Sequence, residues 1–303
     1  MSEELFHNVN LGWNQITLSR NELFLIIVLI GIFLHSLLWF QLLIYKIRID
    51  LTFFFSLTYL LTDFMIMLAF IIQYIIRTNF QRSTHGFVCY FEAYFIVYID
   101  IIETICLTFI SICRYYEIVL NKNIYINYRK LILFISIILA ILIIINMFIQ
   151  NYFSWSIVLD EIGSSCSINN KNIYVIIFNE IIFFFIPIIL CFYLNIQCLI
   201  YLKKRNCSKM NNNNYKLINR FLIFYIIWLI LWGPFVFIEQ FYTKFITNQI
   251  EFIVILLTTL DNTIDAILVS HLDQRFKIVW KKTYSLIKTK LKFKRTLKIH
   301  SII

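Results

Sequence analysis

A chain of 303 residues that is 60% hydrophobic and only 15% charged carries more apolar surface than one or two soluble domains can bury, which excludes a soluble globular protein. Its formal net charge of +10 is collected between long apolar runs, so a nucleic-acid partner is excluded and a lipid bilayer is indicated. Mean hydropathy is +0.78, in keeping with a surface that faces lipid.

Crossing the hydrocarbon takes about 20 helical residues, because about 30 Å is covered at about 1.5 Å per residue. Seven runs meet that length: 23–45, 51–76, 87–119, 131–149, 173–202, 217–242 and 252–271. None alternates with the period of two that a membrane β-barrel requires. The expected fold class is therefore all-α, a seven-transmembrane helix bundle in one domain over 23–272. A short N-terminal segment, 1–22, precedes it, and an amphipathic helix with a basic tail, 273–303, follows.

Of the 27 Lys and Arg residues, only Arg20, Arg77, Arg82, Lys171 and Lys244 fall on one side of these runs. The rest share the other side, which the positive-inside rule makes cytoplasmic, with the N-terminus extracellular and the C-terminus inside. The first run is expected to act as a signal anchor. The polar stretch 203–214, with four consecutive asparagines, reads as a mobile cytoplasmic loop. After the seventh run, Phe276, Ile278, Val279, Trp280, Tyr284 and Ile287 alternate with lysines, as in a helix lying on the inner membrane surface.

The runs also carry motifs. The second holds Ser56-Leu57-Thr58-Tyr59-Leu60-Leu61-Thr62-Asp63. The third opens near Cys89 and closes, 25 positions later, at Ile112-Cys113-Arg114-Tyr115. At about 1.5 Å per residue that interval covers about 37 Å, from one boundary of a bilayer to the other. Cys166 sits in the long outer loop 150–172, and the chain's only two prolines, Pro187 and Pro234, fall inside the fifth and sixth runs. Each removes a backbone donor and bends its helix, which makes room for a cavity or hinge. Pro234 belongs to Leu231-Trp232-Gly233-Pro234, and the seventh run holds Asp261-Asn262-Thr263-Ile264-Asp265, followed at a short distance by Gln274-Arg275-Phe276-Lys277.

Over residues 23–277 this set resembles the rhodopsin-like G-protein-coupled receptor family. The resemblance implies a plasma-membrane receptor that passes the binding of an extracellular ligand to a heterotrimeric G protein. It also implies a Cys89–Cys166 disulfide, G-protein engagement by Arg114 and Tyr115, and an activation switch built from Trp232, Pro234, Pro187 and Asp265. Asp63, Glu103, Asp261 and Asp265 match the family's ion and water pocket, with sodium expected at Asp63. Several positions depart from the pattern. Cys113 replaces the acid beside Arg114, Ala266 and Val269 replace a proline and a tyrosine, and His35 and Asn195 stand where asparagine and tyrosine are usual.

Seven carboxylates lie deep in the runs: Asp63, Asp100, Glu103, Glu180, Glu239, Asp261 and Asp265. Facing lipid, they would cost on the order of 20 kcal/mol together, so they are expected to face the bundle interior. Asp100, Glu180 and Glu239, with Trp232, are the candidate ligand pocket, and their charge suits a basic peptide or other cationic ligand. The family's amine-anchoring aspartate would fall at Ile96, which does not support a monoamine. Its retinal lysine would fall at Thr259, so no retinal cofactor is expected. Intramembrane carboxylates also fit a seven-helix cation or proton transporter or channel, which remains the alternative class. No nucleophile–base pair, phosphate loop or metal-ligand spacing is present along the sequence, so no enzyme activity is expected.

Overall fold

The computed structural model describes residues 15–45, 51–79, 85–121, 129–159, 166–204, 209–241, 248–272, 276–278 and 280–285. Seven long helices dominate it: α1 (Gln15–Tyr45), α2 (Leu51–Asn79), α3 (His85–Ile118), α4 (Arg129–Tyr152), α5 (Ile173–Lys204), α6 (Lys209–Phe241) and α7 (Asn248–Leu272). All seven are long and apolar enough to cross a membrane. The helix is forced by the solvent: in hydrocarbon each backbone N–H must find its partner within its own segment. The chain is therefore a multi-pass, all-α membrane protein.

α1, α2, α3, α5, α6 and α7 close a ring through the pairs α1–α2, α2–α3, α3–α5, α5–α6, α6–α7 and α7–α1, with α2 also against α7. α4 stands outside that ring, resting on α3 and on the outer hairpin, and only 6% of its most apolar stretch is buried against 50% for α2. Ile, Leu and Phe run round all its faces, which is the composition of a helix solvated by lipid. The close approach of α1 to α7 needs Gly31: a Cβ there would lie 3.2 Å from the Thr263 Cα and 2.9 Å from its Oγ1.

The helices overrun the apolar stretches that announce them. α1 starts at Gln15, inside the segment 1–22 expected to precede the first span, and α6 starts at Lys209 while α5 runs to Lys204. The loop expected over 203–214 is corrected accordingly to a short connection between two helices. Hydropathy marks only the part of a helix that sits in hydrocarbon, whereas backbone hydrogen bonding continues past it through polar residues.

The long outer loop also has structure. β1 (Ser156–Leu159) pairs antiparallel with β2 (Ser167–Asn170) in the register Ser156↔Asn170 to Leu159↔Ser167. Cys166, directly before β2, is bonded to Cys89 of α3, so the hairpin is pinned across the top of the bundle. At the opposite end Phe276 is fully buried against Phe53, with ring centroids 5.0 Å apart, and residues 280–285 continue as helix beside Tyr45. Ile278, before that short helix, and Trp280 and Tyr284 on it are exposed, apolar surface left for lipid, while Val279 and Ile287 lie outside the described residues.

Candidate functional site

Six of the seven carboxylates are buried: Asp63, Asp100, Glu103, Glu180, Asp261 and Asp265. Glu239 lies on α6, but its side chain is outside the described residues. The six divide between two places, an outer cavity and a closed cluster deeper in the bundle.

The outer cavity, about 90 Å³, lies beneath the hairpin. Asp100 of α3, Glu180 of α5 and Trp232 of α6 line it, with Asn146 and Gln150 of α4 and Asn170 of β2. Amides knit its rim together. Gln150 Nε2 donates to Asn179 Oδ1 at 2.8 Å, and Ser156 Oγ donates to Asn170 Oδ1 at 2.5 Å. Glu180 Oε2, by contrast, has no hydrogen-bond partner among the described residues. A second cavity of about 180 Å³ lies between α1, α2, α3 and α7 and shares Val97, Ile168 and Phe235 with the first. Its polar lining includes Gln73, Glu92, Thr258, Thr259 and Asn262. This second lobe was not expected from the sequence, because its lining is spread over four helices with no local spacing.

Local winding on α5 shapes the first cavity. Pro187 has no N–H to give, and the five residues Ile181–Phe185, separated from it by Ile186, open into a wider turn closed by Ile186 N–H to the Ile181 carbonyl. That turn carries Phe184 onto Trp232, with centroids 5.4 Å apart, and sets Glu180 at the cavity wall. Pro234, in turn, lies within an unbroken α6 two residues from Trp232.

The deeper cluster joins three helices. One carboxylate oxygen each from Asp63 (α2), Glu103 (α3) and Asp265 (α7) lies within 4.8 Å of the others. Two neutral donors hold this arrangement. The Tyr59 hydroxyl donates to Asp265 Oδ2, and Trp228 Nε1 donates to Glu103 Oε1 at 2.9 Å. Both Asp63 oxygens, Glu103 Oε2 and Asp265 Oδ1 have no hydrogen-bond partner among the described residues, and neither oxygen of Asp261 has one. Asp261, expected in the same set, sits one helical turn from Asp265 but outside the group of three. The donor set is hard oxygen, and buried oxygens left without hydrogen-bond donors fit a hard cation. Asp63, Glu103 and Asp265 would hold it, with Tyr59 and Trp228 fixing their orientation. The sequence offered a signal for Tyr59, which precedes Asp63 by four residues and so shares its helix face. Trp228 had a similar one, four residues before Trp232.

Between the two places runs a column of rings on α6. Trp232 stacks on Trp228 with centroids 4.8 Å apart; Phe224 and Tyr225 follow, and Phe221 lies under the Arg114 guanidinium, 3.1 Å from ring centroid to Cζ. The spacing of three and four residues puts all five on one face, and all are buried. Beside the column the Tyr225 hydroxyl donates to the Leu107 carbonyl at 2.5 Å and meets Ser111 Oγ at 2.6 Å, while Asn195 Nδ2 donates to Ser111 Oγ at 3.1 Å. Cys113 is fully buried next to Arg114, and Tyr115 packs against the small cluster of Cys198, Leu202 and Ile218. Below this rim the Lys277 ammonium is held under its ordinary pKa by partial burial and by the positive charges of Arg220 and Lys281.

Arg77, counted on the outer side, lies beside Cys166 and is 2% exposed. Its guanidinium pairs with Glu92 of α3, whose Oε2 also accepts from the Cys166 backbone amide at 3.1 Å. Charge on a helix end reads as surface in a sequence; here the partner Glu92 and the hairpin cover it. His35 Nε2 meets the Asn262 carbonyl at 3.1 Å, joining α1 to α7.

Compared with protein-family models and with curated proteins, the chain matches none.

Proposed function

We propose that this chain is a rhodopsin-like receptor of the plasma membrane, with its N-terminus outside and its C-terminus in the cytoplasm. Its ligand binds in the cavity lined by Asp100, Glu180 and Trp232. The response emerges at Arg114 and Tyr115, where a heterotrimeric G protein docks. One observation carries this reading: the buried rings Trp232, Trp228, Phe224 and Phe221 share one face of α6 within a single core cluster, with Trp232 on the cavity wall and Phe221 under Arg114. A ligand that displaces Trp232 has differential contacts in two arrangements of α6, which is what a population shift requires. The two wall carboxylates select a cationic group, and the small volume admits a single headgroup or one basic side chain of a peptide.

The test is reconstitution in vesicles with a G protein. Agonist-dependent nucleotide exchange is expected, abolished by Arg114→Ala with ligand binding retained. The acid cluster also favours a second reading, a cation or proton transporter, and cation flux with no exchange on any G protein would replace the receptor with it.

A further inference from the structure

We infer that the ligand is an amphiphile with one cationic headgroup and an apolar tail, and that it enters from the bilayer between α3 and α4. This rests on the reading of the Asp100–Glu180 cavity as the binding site, and it names the chemical class that the site takes.

Size sets the problem. The cavity holds about 90 Å³, whereas ligand pockets run to about 300–1,000 Å³. A headgroup fits there, and the rest of a ligand has to lie elsewhere. Directly alongside is a groove of about 380 Å³ between α3 and α4. The two spaces have Tyr94 of α3 and Met147 of α4 in common, so these side chains form the partition between them. Phe148, on the α4 edge of the groove, is 69% exposed, so the groove opens on the lipid side. The second lobe also adjoins the cavity, but its wall carries Gln73, Thr258, Thr259 and Asn262, polar groups that an apolar tail would strand.

The groove is shaped for hydrocarbon. Tyr90, Phe91, Tyr94, Phe95 and Tyr98 recur at spacings of three and four along α3 and face α4 as one ridge. Their rings lie flat on one another, Tyr90 on Tyr94 at 5.9 Å and Phe91 on Phe95 at 4.7 Å between centroids. At the partition the Tyr94 hydroxyl is buried with no hydrogen-bond partner among the described residues, and a passing ammonium supplies the missing donor.

The route follows from what is fastened and what is loose. The hairpin above the cavity is held by the Cys89–Cys166 bridge, and Gln150 to Asn179 and Ser156 to Asn170 bond its rim. On the α3 side the partition is two side chains, one of them a methionine that changes shape easily. α4 itself stands outside the ring with 6% of its most apolar stretch buried, so a small slide costs little packing.

The experiment uses the full-length protein reconstituted in phosphatidylcholine vesicles. The probe is hexadecylamine carrying a diazirine and an alkyne on its chain, and labelled peptides are read by mass spectrometry after illumination. Saturable labelling within residues 90–98 and 144–151 is expected, displaced by unlabelled hexadecylamine and far less by hexadecanol or butylamine. Met147→Trp fills the partition and is expected to raise the half-saturating mole fraction at least about tenfold, with helix content by circular dichroism unchanged. Asp100→Asn combined with Glu180→Gln is expected to remove the preference for amine over alcohol. Labelling that never saturates marks annular lipid only and overturns the inference. So does labelling on α1, α2 or α7, full displacement by butylamine, or a Met147→Trp protein that binds as the wild type does. If Met147→Trp does not fold, the wild-type displacement pattern alone decides. Saturable groove labelling without nucleotide exchange supports the inference and counts only against the receptor. Exchange driven by a water-soluble agonist, with no groove labelling, counts only against the lateral route.

Discussion

Two buried charged regions lie along α3, one beside the Cys89–Cys166 disulfide and one deeper in the bundle, and they are solved in opposite ways. At the outer end Arg77 and Glu92 compensate one another, and Glu92 also receives the Cys166 amide next to the disulfide. Deeper in the bundle Asp63, Glu103 and Asp265 meet with neutral donors only, and several of their oxygens are left open. The first region balances its charge within the protein, and its work is structural: it fastens α2, α3 and the hairpin. The second gathers acids with no basic partner among the described residues, the arrangement from which the ion-site reading is argued.

Removing one partner from each region is the strongest way to break that contrast. Arg77→Met leaves Glu92 charged and buried and is expected to cost about 3–5 kcal/mol, seen as a large fall in the thermal midpoint in detergent. Adding Glu92→Leu to Arg77→Met is expected to restore most of it; a double variant as unstable as the single one would mean that packing, not charge, holds this corner. Next in size is Cys89→Ser, expected to cost about 2–5 kcal/mol and to free the hairpin, measured by protection of β2 amides from hydrogen exchange. Gly31→Ala pushes a Cβ against Met67 and the Thr263 backbone, on the two helices that carry Asp63 and Asp265, and is expected to cost about 1–3 kcal/mol by the same midpoint measurement. Smallest, and opposite in sign, is Asp63→Asn. In chelated, cation-free buffer it removes a repelling charge and is expected to leave the midpoint unchanged or raise it by a few degrees. A fall comparable to that of Arg77→Met would make the cluster structural and erase the contrast.

Much of this was legible beforehand. The seven apolar runs and the burial of the described deep acids correspond to features visible along the chain, and the pairing of Cys89 with Cys166 is the one the family resemblance implied. Helix ends were less so, because α1 and α6 continue into polar residues that hydropathy cannot distinguish from loop. The burial of Arg77 was not legible for a related reason: position near the end of a run says nothing about what covers it. Within the site, Asp100, Glu180 and Trp232 do share one cavity, whereas Asp261 stands apart from the group of three. The wider turn before Pro187 was foreshadowed only as a bend.

What the sequence by itself determined is the architecture, since the length and apolarity of each run leave a bilayer-spanning helix as the one way to satisfy its backbone. Which oxygens meet was decided only in three dimensions. Asp63, Glu103 and Asp265 come from α2, α3 and α7, and Tyr59 and Trp228 acquire their roles by reaching across to acids 206 and 125 positions away. Helical periodicity assigns a side chain to a face of its own helix, but the rotation of one helix against another is set by packing, as at Gly31, and that packing turns scattered acids into a site.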